Sequence, residues 1–416
     1  MDPELRGFRQ VVLEVQARAK EGGLDWGEVE FELVSPGTLT ALAVCWPFSR
    51  FYRRSPGRFY QRLRARPPAA ERRLEVVLPT RPVRAYLAAG PTGVLRLAAA
   101  HALAHADFLY HNRHFRAAPP LTYRRLARHA LLVRAYARRY GSEAVEAVLN
   151  ASLALRSYVH PEGQDDLLAV VARLSPGLAE WQREIVAVVR AESLCLRKAE
   201  FTRLINEGWA TYWHTRIMRT LSPGGGEILP WVRLQAELLR PRPPVLNPYL
   251  VGLRIFQALA AREPREHLFR IREEETDVSF LERHLTPELV KELDLFVYRA
   301  RGGRWVVTAP AEEAETVRRV LIRQFARAGQ PALEVTDADY RGRRELYLRH
   351  RYDGRPLAES HLARALAGLY FLWGRPVHLE TATESRLLVY TADRTGVRIS
   401  SVRPRPADSS LRCRQV

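Results

Sequence analysis

Apolar residues recur at helical spacing near the start of the chain, at Leu5, Phe8, Val12, Leu13 and Val15, until Gly22 and Gly23 interrupt them. Positions three and four apart share one face of a helix, so residues 3–20 are predicted helical, with the glycine pair as a stop. The pattern then shortens. Val29–Val34, Leu39–Cys45, Leu74–Leu78 and Val83–Leu87 are brief apolar or alternating runs, mostly bounded by proline or glycine, and read as strands. From about 92 to 290 the helical period dominates, with helices predicted over 93–110, 122–140, 142–156, 179–220, 226–239, 249–261 and 265–284. From about 293 the period falls to two, in Leu293–Tyr298, Trp305–Thr308, Leu333–Val335, Glu345–Leu348, Val377–Glu380, Arg386–Tyr390 and Val397–Ile399, with helices at 311–328 and 357–373 between them.

The predicted fold class is therefore α+β. A small α+β lead-in (1–91) precedes a central, mainly helical domain (92–290), then an α+β domain (291–402) with a mostly antiparallel sheet and helices on one face. Residues 403–416, RPRPADSSLRCRQV, read as a disordered tail.

Composition narrows the class. No apolar stretch of about 18 residues is free of charge, so no membrane span is expected. The N-terminal MDPELRGFRQ has acids and no apolar segment, unlike a secretory signal, and a cytoplasmic location is expected. Cys45, Cys195 and Cys413 are too far apart for a zinc pattern and odd in number for a disulfide framework. The net charge of +19 would ordinarily suggest nucleic acid as a partner. Here Lys20, Lys198 and Lys291 are the only lysines among 65 basic residues, and the arginines are scattered. Such a balance fits coding bias better than a binding stripe, and nucleic acid is not the expected ligand.

Two helical segments carry chemistry. In AAAHALAHADFLYHN (98–112), His101 and His105 lie four apart and point the same way, with Asn112 on that face. Two imidazoles at this spacing can hold one metal ion, although Ala102 stands where an H-E-x-x-H protease has its general-base glutamate. A structural hydrogen-bonded pair in an apolar helix is the plainer alternative. In LINEGWATYWH (204–214), Glu207, Thr211 and His214 share a face. Burying Glu and His on a Trp-rich helix demands pairing or ligation. The run Asn206-Glu207-Gly208-Trp209-Ala210 resembles the N-E-G-x-A segment of gluzincin metallopeptidases, in which the Glu is a zinc ligand. His101, His105 and Glu207 make the set of a hydrolytic zinc site, with zinc the expected divalent metal. Glu192 or Asp107 could supply the missing base, and His214 could stabilise an oxyanion.

At these residues a family becomes recognisable. The chain resembles the stage V sporulation protein R family in EWQREIVAVVRAE (180–192) with NEGWATYWHTRI (206–217), in AHALAHADF (100–108) with Asn112, and in NPYLVGLRIF (247–256), REEETDVSFLERHLT (272–286) and FLWGRPVHLE (371–380). The polar set matching the family's motifs is His101, His105, Asp107, Asn112, Glu192, Asn206, Glu207 and His214. The resemblance implies a cytoplasmic bacterial protein tied to spore cortex formation or, in other bacteria, to a stress response beside a PrkA-type serine kinase and a von Willebrand-type partner. The chain departs from the pattern at Arg53 and Arg54, near Leu131, and at Phe201. Two functions from different classes follow. One is a zincin-like metal-dependent hydrolase of a peptide or peptidoglycan-related amide. The other is a non-catalytic regulatory or scaffold protein in a complex with that kinase and partner.

Overall fold

The computed structural model describes residues 3–45, 74–117, 121–160, 166–221, 224–241, 243, 245–301, 304–352, 357–382 and 386–404. Arg53, Arg54 and the predicted tail beyond residue 404 lie outside them. In chain order the helices are α1 (Pro3–Glu21), α2 (Pro36–Cys45), α3 (Thr92–His111), α4 (Arg113–Arg116), α5 (Tyr123–Tyr140), α6 (Ser142–Ala154), α7 (Leu167–Leu174), α8 (Glu180–Phe201), α9 (Arg203–Thr220), α10 (Gly225–Leu238), α11 (Pro248–Ala260), α12 (Arg265–Glu274), α13 (Asp277–His284), α14 (Pro287–Glu292), α15 (Ala314–Phe325) and α16 (Glu359–Trp373). The strands are β1 (Val29–Val34), β2 (Glu75–Leu78), β3 (Thr80–Arg81), β4 (Val83–Ala88), β5 (Leu121–Thr122), β6 (Val297–Arg301), β7 (Arg304–Ala309), β8 (Leu333–Tyr340), β9 (Glu345–His350), β10 (Val377–Ala382), β11 (Arg386–Asp393) and β12 (Gly396–Pro404). None of the helices among the described residues is long and apolar enough to cross a membrane.

These elements form two compact units, each drawn from two stretches of chain: residues 1–128 with 198–326, and residues 129–197 with 327–416. The units therefore cut across the consecutive segments read from the sequence. The second unit holds the expected mostly antiparallel sheet, in the order β12-β11-β10-β9-β8 with only the β9–β10 pair parallel. The first unit holds a three-stranded sheet, β1-β4-β2, in which β1 and β4 run parallel and β2 pairs antiparallel to β4.

Residues 39–45 are helical, not extended. Ser35 Oγ accepts the Thr38 N–H at 3.1 Å, and Pro36 opens α2 as its first residue. A serine cap followed by proline is a helix start. The buried residues Leu39 and Leu42 are three apart, a helical spacing that the run TLTALAVC disguised as alternation. The predicted helix over 179–220 divides into α8 and α9 at Thr202. No proline or glycine marks that break. Asp277, the first residue of α13, lends a carboxylate oxygen to the Ile205 N–H at 3.0 Å, so the new helix start is capped from a distant segment. Likewise 265–284 divides into α12 and α13 at Thr276, which with Ser279 forms a capping box.

Helices α3 and α9 are central to the first unit. α9 buries Leu204, Ile205, Trp209, Ala210, Tyr212, Trp213, Ile217 and Met218, and α3 is buried along most of its length. A helix apolar all round belongs inside a fold, and a polar group on it needs a partner there. α9 also meets α11 backbone to backbone. A Cβ added at Gly252 would lie 2.5 Å from Gly208 Cα and 2.8 Å from Leu204 O. Neither neighbour is a flexible tip that could turn aside. Gly252→Ala is therefore expected to push the two helices apart and to destabilise the protein by about 1–3 kcal/mol or more. Urea unfolding would check it, and an unchanged midpoint would mean that the helices have slack.

Candidate metal centre

The spacing of His101 and His105 on α3 brings their imidazoles together, with ring centroids 4.5 Å apart. Glu207 on α9 faces both. Its Oε2 lies 3.5 Å from His101 Nε2 and 3.4 Å from His105 Nε2. A further carboxylate, Glu75 at the start of β2, places Oε1 3.9 Å from His101 Nε2. Donor atoms of Glu75, His101 and His105 all lie within 4.8 Å of one another. The structure thus brings Glu207, from a distant part of the chain, to His101 and His105, and adds Glu75.

The hydrogen bonds behind the imidazoles decide which way their lone pairs face. His105 Nδ1 lies 2.9 Å from Asn206 Oδ1. An amide oxygen only accepts, so Nδ1 carries the proton and Nε2 presents its lone pair to Glu207. His101 is set by a longer chain. Thr215 Oγ1 donates to Thr211 O at 2.8 Å and accepts from Gln235 Nε2 at 3.1 Å. Gln235 Oε1 therefore faces His214 Nε2, at 2.7 Å, and takes its proton. His214 Nδ1 is left as an acceptor, and His101 Nδ1 donates to it at 2.8 Å. The lone pair of His101 Nε2 then also faces Glu207. Burial, with the adjacent His101 and His105, holds the His214 pKa well below its ordinary value, so this ring is neutral.

Two imidazole lone pairs facing a carboxylate repel it, and a cation among them relieves that repulsion. A charge-assisted N–H···O bond would bring its atoms to about 2.7–2.9 Å. Here the separations are 3.4 and 3.5 Å, and Glu207 Oε2 is buried without a hydrogen-bond partner. Two ligands each about 2.0–2.1 Å from one tetrahedral ion stand roughly 3.3–3.4 Å apart. These spacings suit a divalent ion at His101 and His105, with Glu75 or Glu207 as the carboxylate beside them. Glu75 and Glu207 are thus two carboxylates within reach of the same pair of imidazoles.

Without an ion, a proton takes that place. Burial alone would lower the His105 pKa, but the facing Glu207 carboxylate, Asn206 and Glu75 outweigh it and raise it. Burial alone would raise Glu207, but the two imidazoles hold it well below the usual carboxylate range. The raised His105 pKa stabilises the metal-free fold fully below the ordinary histidine value, and this is lost as pH rises through the raised one. The lowered Glu207 pKa stabilises it above the ordinary carboxylate value, and this is lost as pH falls through the lowered one. An ion must displace the His105 proton. Metal affinity is expected to weaken by about tenfold per pH unit below the raised His105 value and to level off above it. Calorimetric titration in buffers of different ionisation enthalpy would count the released proton.

The other residues singled out from sequence have partners of their own. Asp107 is buried and accepts from the Asp25 N–H at 2.9 Å, from Trp209 Nε1 at 2.9 Å and from Arg272 at 3.1 Å. Burial raises its pKa to about 7 against the pull of Arg272 and the two N–H groups. Asn112 ends α3 and donates to the carbonyls of Arg272 and Glu275 at 2.9 and 3.0 Å. Thr211 Oγ1 donates to Glu207 O at 2.7 Å, within α9. Trp209, Tyr212 and Trp213 pack with Phe256 and Phe269 in the core. Glu192 belongs to the second unit, where it bonds His129 Nδ1 at 2.7 Å.

Glu75 and Gln235 escaped the sequence reading. Glu75 opens the plain strand EVVL, and Gln235 sits in an ordinary amphipathic helix. Glu75 lies on the same side of β2 as Val77, and β2 packs against α3.

A profile described as "SpoVR like protein" matches residues 2–164 and 159–330, and one described as "SpoVR-like C-terminal domain" matches residues 331–384. The chain is 27% identical over 259 residues to "Uncharacterized protein YcgB" of Escherichia coli (strain K12). That match covers 54% of this chain and 50% of the relative's length. No solved structure matches.

Proposed function

Because the chain belongs to the SpoVR family, whose profiles run through almost all of it, we propose that it is a metal-dependent hydrolase of an amide bond, of the peptide or peptidoglycan-related class. The observation that carries this is the convergence of His101 Nε2, His105 Nε2 and the hydrogen-bond-free Glu207 Oε2 at spacings suited to one ion. The family name supports the substrate class through its tie to sporulation, and spore cortex is built of peptidoglycan.

A divalent ion there would polarise a carbonyl and lower the pKa of water toward neutrality. The protein's own groups supply the rest. Glu75 stands on the imidazole side of the cluster with its side chain 19% exposed, so it is the group placed to take and return a proton. This role was open because position 102 is alanine. His214 has both ring nitrogens bonded within the protein, so it orients His101 and does not face a substrate. Asn206 does the same for His105.

The test joins metal analysis of the purified full chain with an assay on cross-linked peptidoglycan fragments. One equivalent of zinc, manganese or iron is expected, lost from His101→Ala and retained by Glu75→Gln. Turnover is expected to fall by roughly 100-fold or more in Glu75→Gln, the range of general-base removal. A protein that binds no divalent ion at micromolar concentration would end this reading.

A further inference from the structure

We infer that Gln235 is a positioning residue: through His214 it holds His101 in the tautomer whose Nε2 lone pair faces Glu207. The inference rests on the metal reading for its consequence, but the tautomer itself is a property of the metal-free protein.

The hydrogen-bonded chain has two self-consistent directions. In one, Thr215 donates to Thr211 O, Gln235 donates to Thr215, and the protons lie on His214 Nε2 and His101 Nδ1. In the other, the Gln235 amide is turned over, its nitrogen donates to His214 Nε2, and every proton along the chain moves to the far side of its ring. His101 Nε2 then carries hydrogen and cannot ligate. The orientation of one amide therefore chooses between a ligand and a hydrogen-bond donor at Glu207.

The structure favours the ligand direction at both ends. Thr215 Oγ1 is 2.8 Å from Thr211 O, a carbonyl that can only accept, so the hydroxyl turns its lone pairs to Gln235. At the other end Glu207 Oε2 receives no hydrogen bond, as it would if His101 Nε2 were a well-aligned donor. The placement of Gln235 is itself anchored. Near the other end of α10, Arg96 of α3 joins Glu227, and Arg96 also bonds Glu14 of α1 at 2.9 Å. Gly93 lets α10 come close, since a Cβ there would lie 2.9 Å from Glu227 O. α10 thus carries Gln235 on a helix pinned to α3, which itself bears both histidines.

The experiment uses the full chain with histidines labelled with nitrogen-15. Ring nitrogen shifts in the metal-free protein report each tautomer, and zinc titration reports affinity. Wild type is expected to show hydrogen on His101 Nδ1 and His214 Nε2. Gln235→Leu removes the acceptor, and it should mix the tautomers of both rings and weaken zinc binding by roughly 10- to 100-fold. Gln235→Glu keeps an acceptor at the same place and should restore both readouts to near wild type. Thr215→Val, which frees the amide to turn, is a second variant should Gln235→Leu fail to fold, and should shift the same signals. Hydrogen on His101 Nε2 in the wild type, or unchanged tautomers in both Gln235→Leu and Thr215→Val, overturns the inference. If the tautomers behave as stated but no variant, nor wild type, binds zinc, the positioning role stands and the hydrolase reading falls.

Discussion

Asp107→Ala is expected to destabilise the first unit by about 3–5 kcal/mol, the cost of leaving a buried charge without its partner. Arg272 is the group left behind. Its side chain is 4% exposed and its guanidinium lies over the rings of Trp209 and Phe269, 5.6 and 4.9 Å from their centroids. Burial pushes the Asp107 pKa up and the Arg272 pKa down, so each group resists ionisation by itself and relies on the other. The same substitution strands Trp209 Nε1 and the Asp25 N–H. A fall in the melting temperature of roughly 10 °C should result. Asp107→Asn keeps acceptors for those two N–H groups and should lose less. A melting temperature unchanged in Asp107→Ala would show that the pair is dispensable and would return Asp107 to the list of groups free for chemistry.

Glu207→Gln and His105→Ala are expected to weaken zinc binding by several hundredfold each. Structural zinc sites are worth on the order of 10–16 kcal/mol over four ligands, so one ligand carries about 3–4 kcal/mol. The metal-free stability of these variants should also fall, since His105 and Glu207 favour each other's charged forms, but by much less than the loss in zinc affinity. A purely structural hydrogen-bonded network would give the reverse result, a large loss of stability with no ion to lose. Melts with and without chelator, beside equilibrium dialysis of zinc, distinguish the two.

Much of the site was legible because its residues obey helical spacing. His101 with His105, and Glu207 with His214, lie on single helix faces whose apolar surroundings made burial evident. Burial of such groups demands a partner, and that demand can be read from sequence. The identity of the partner often cannot. Glu75 reaches the site only because β2 lies beside α3, and nothing in EVVL announces it. Asp277 caps α9 from a segment 72 residues away in sequence, so the break at Thr202 left no local mark. The family block REEETDVSFLERHLT proved structural: Arg272 pairs with Asp107, Asp277 caps α9, and the Glu275 carbonyl receives Asn112. The α+β class and the C-terminal sheet followed from the change of period. The discontinuous units did not, since hydrophobic period carries no information about which distant stretches share a core.

The first unit is closed by residues made far apart in time. Asn206, which orients His105, follows it by 101 residues, and the intervening 129–197 belongs to the other unit. A ribosome adding about 5–20 residues per second needs roughly 5–20 s to cover that distance. For that interval a nascent chain has its histidine pair with neither Asn206 nor Glu207 yet made. The bond that fixes the His105 tautomer can form only once Asn206 has been made, so this cluster is completed late in synthesis whatever part of the unit folds first.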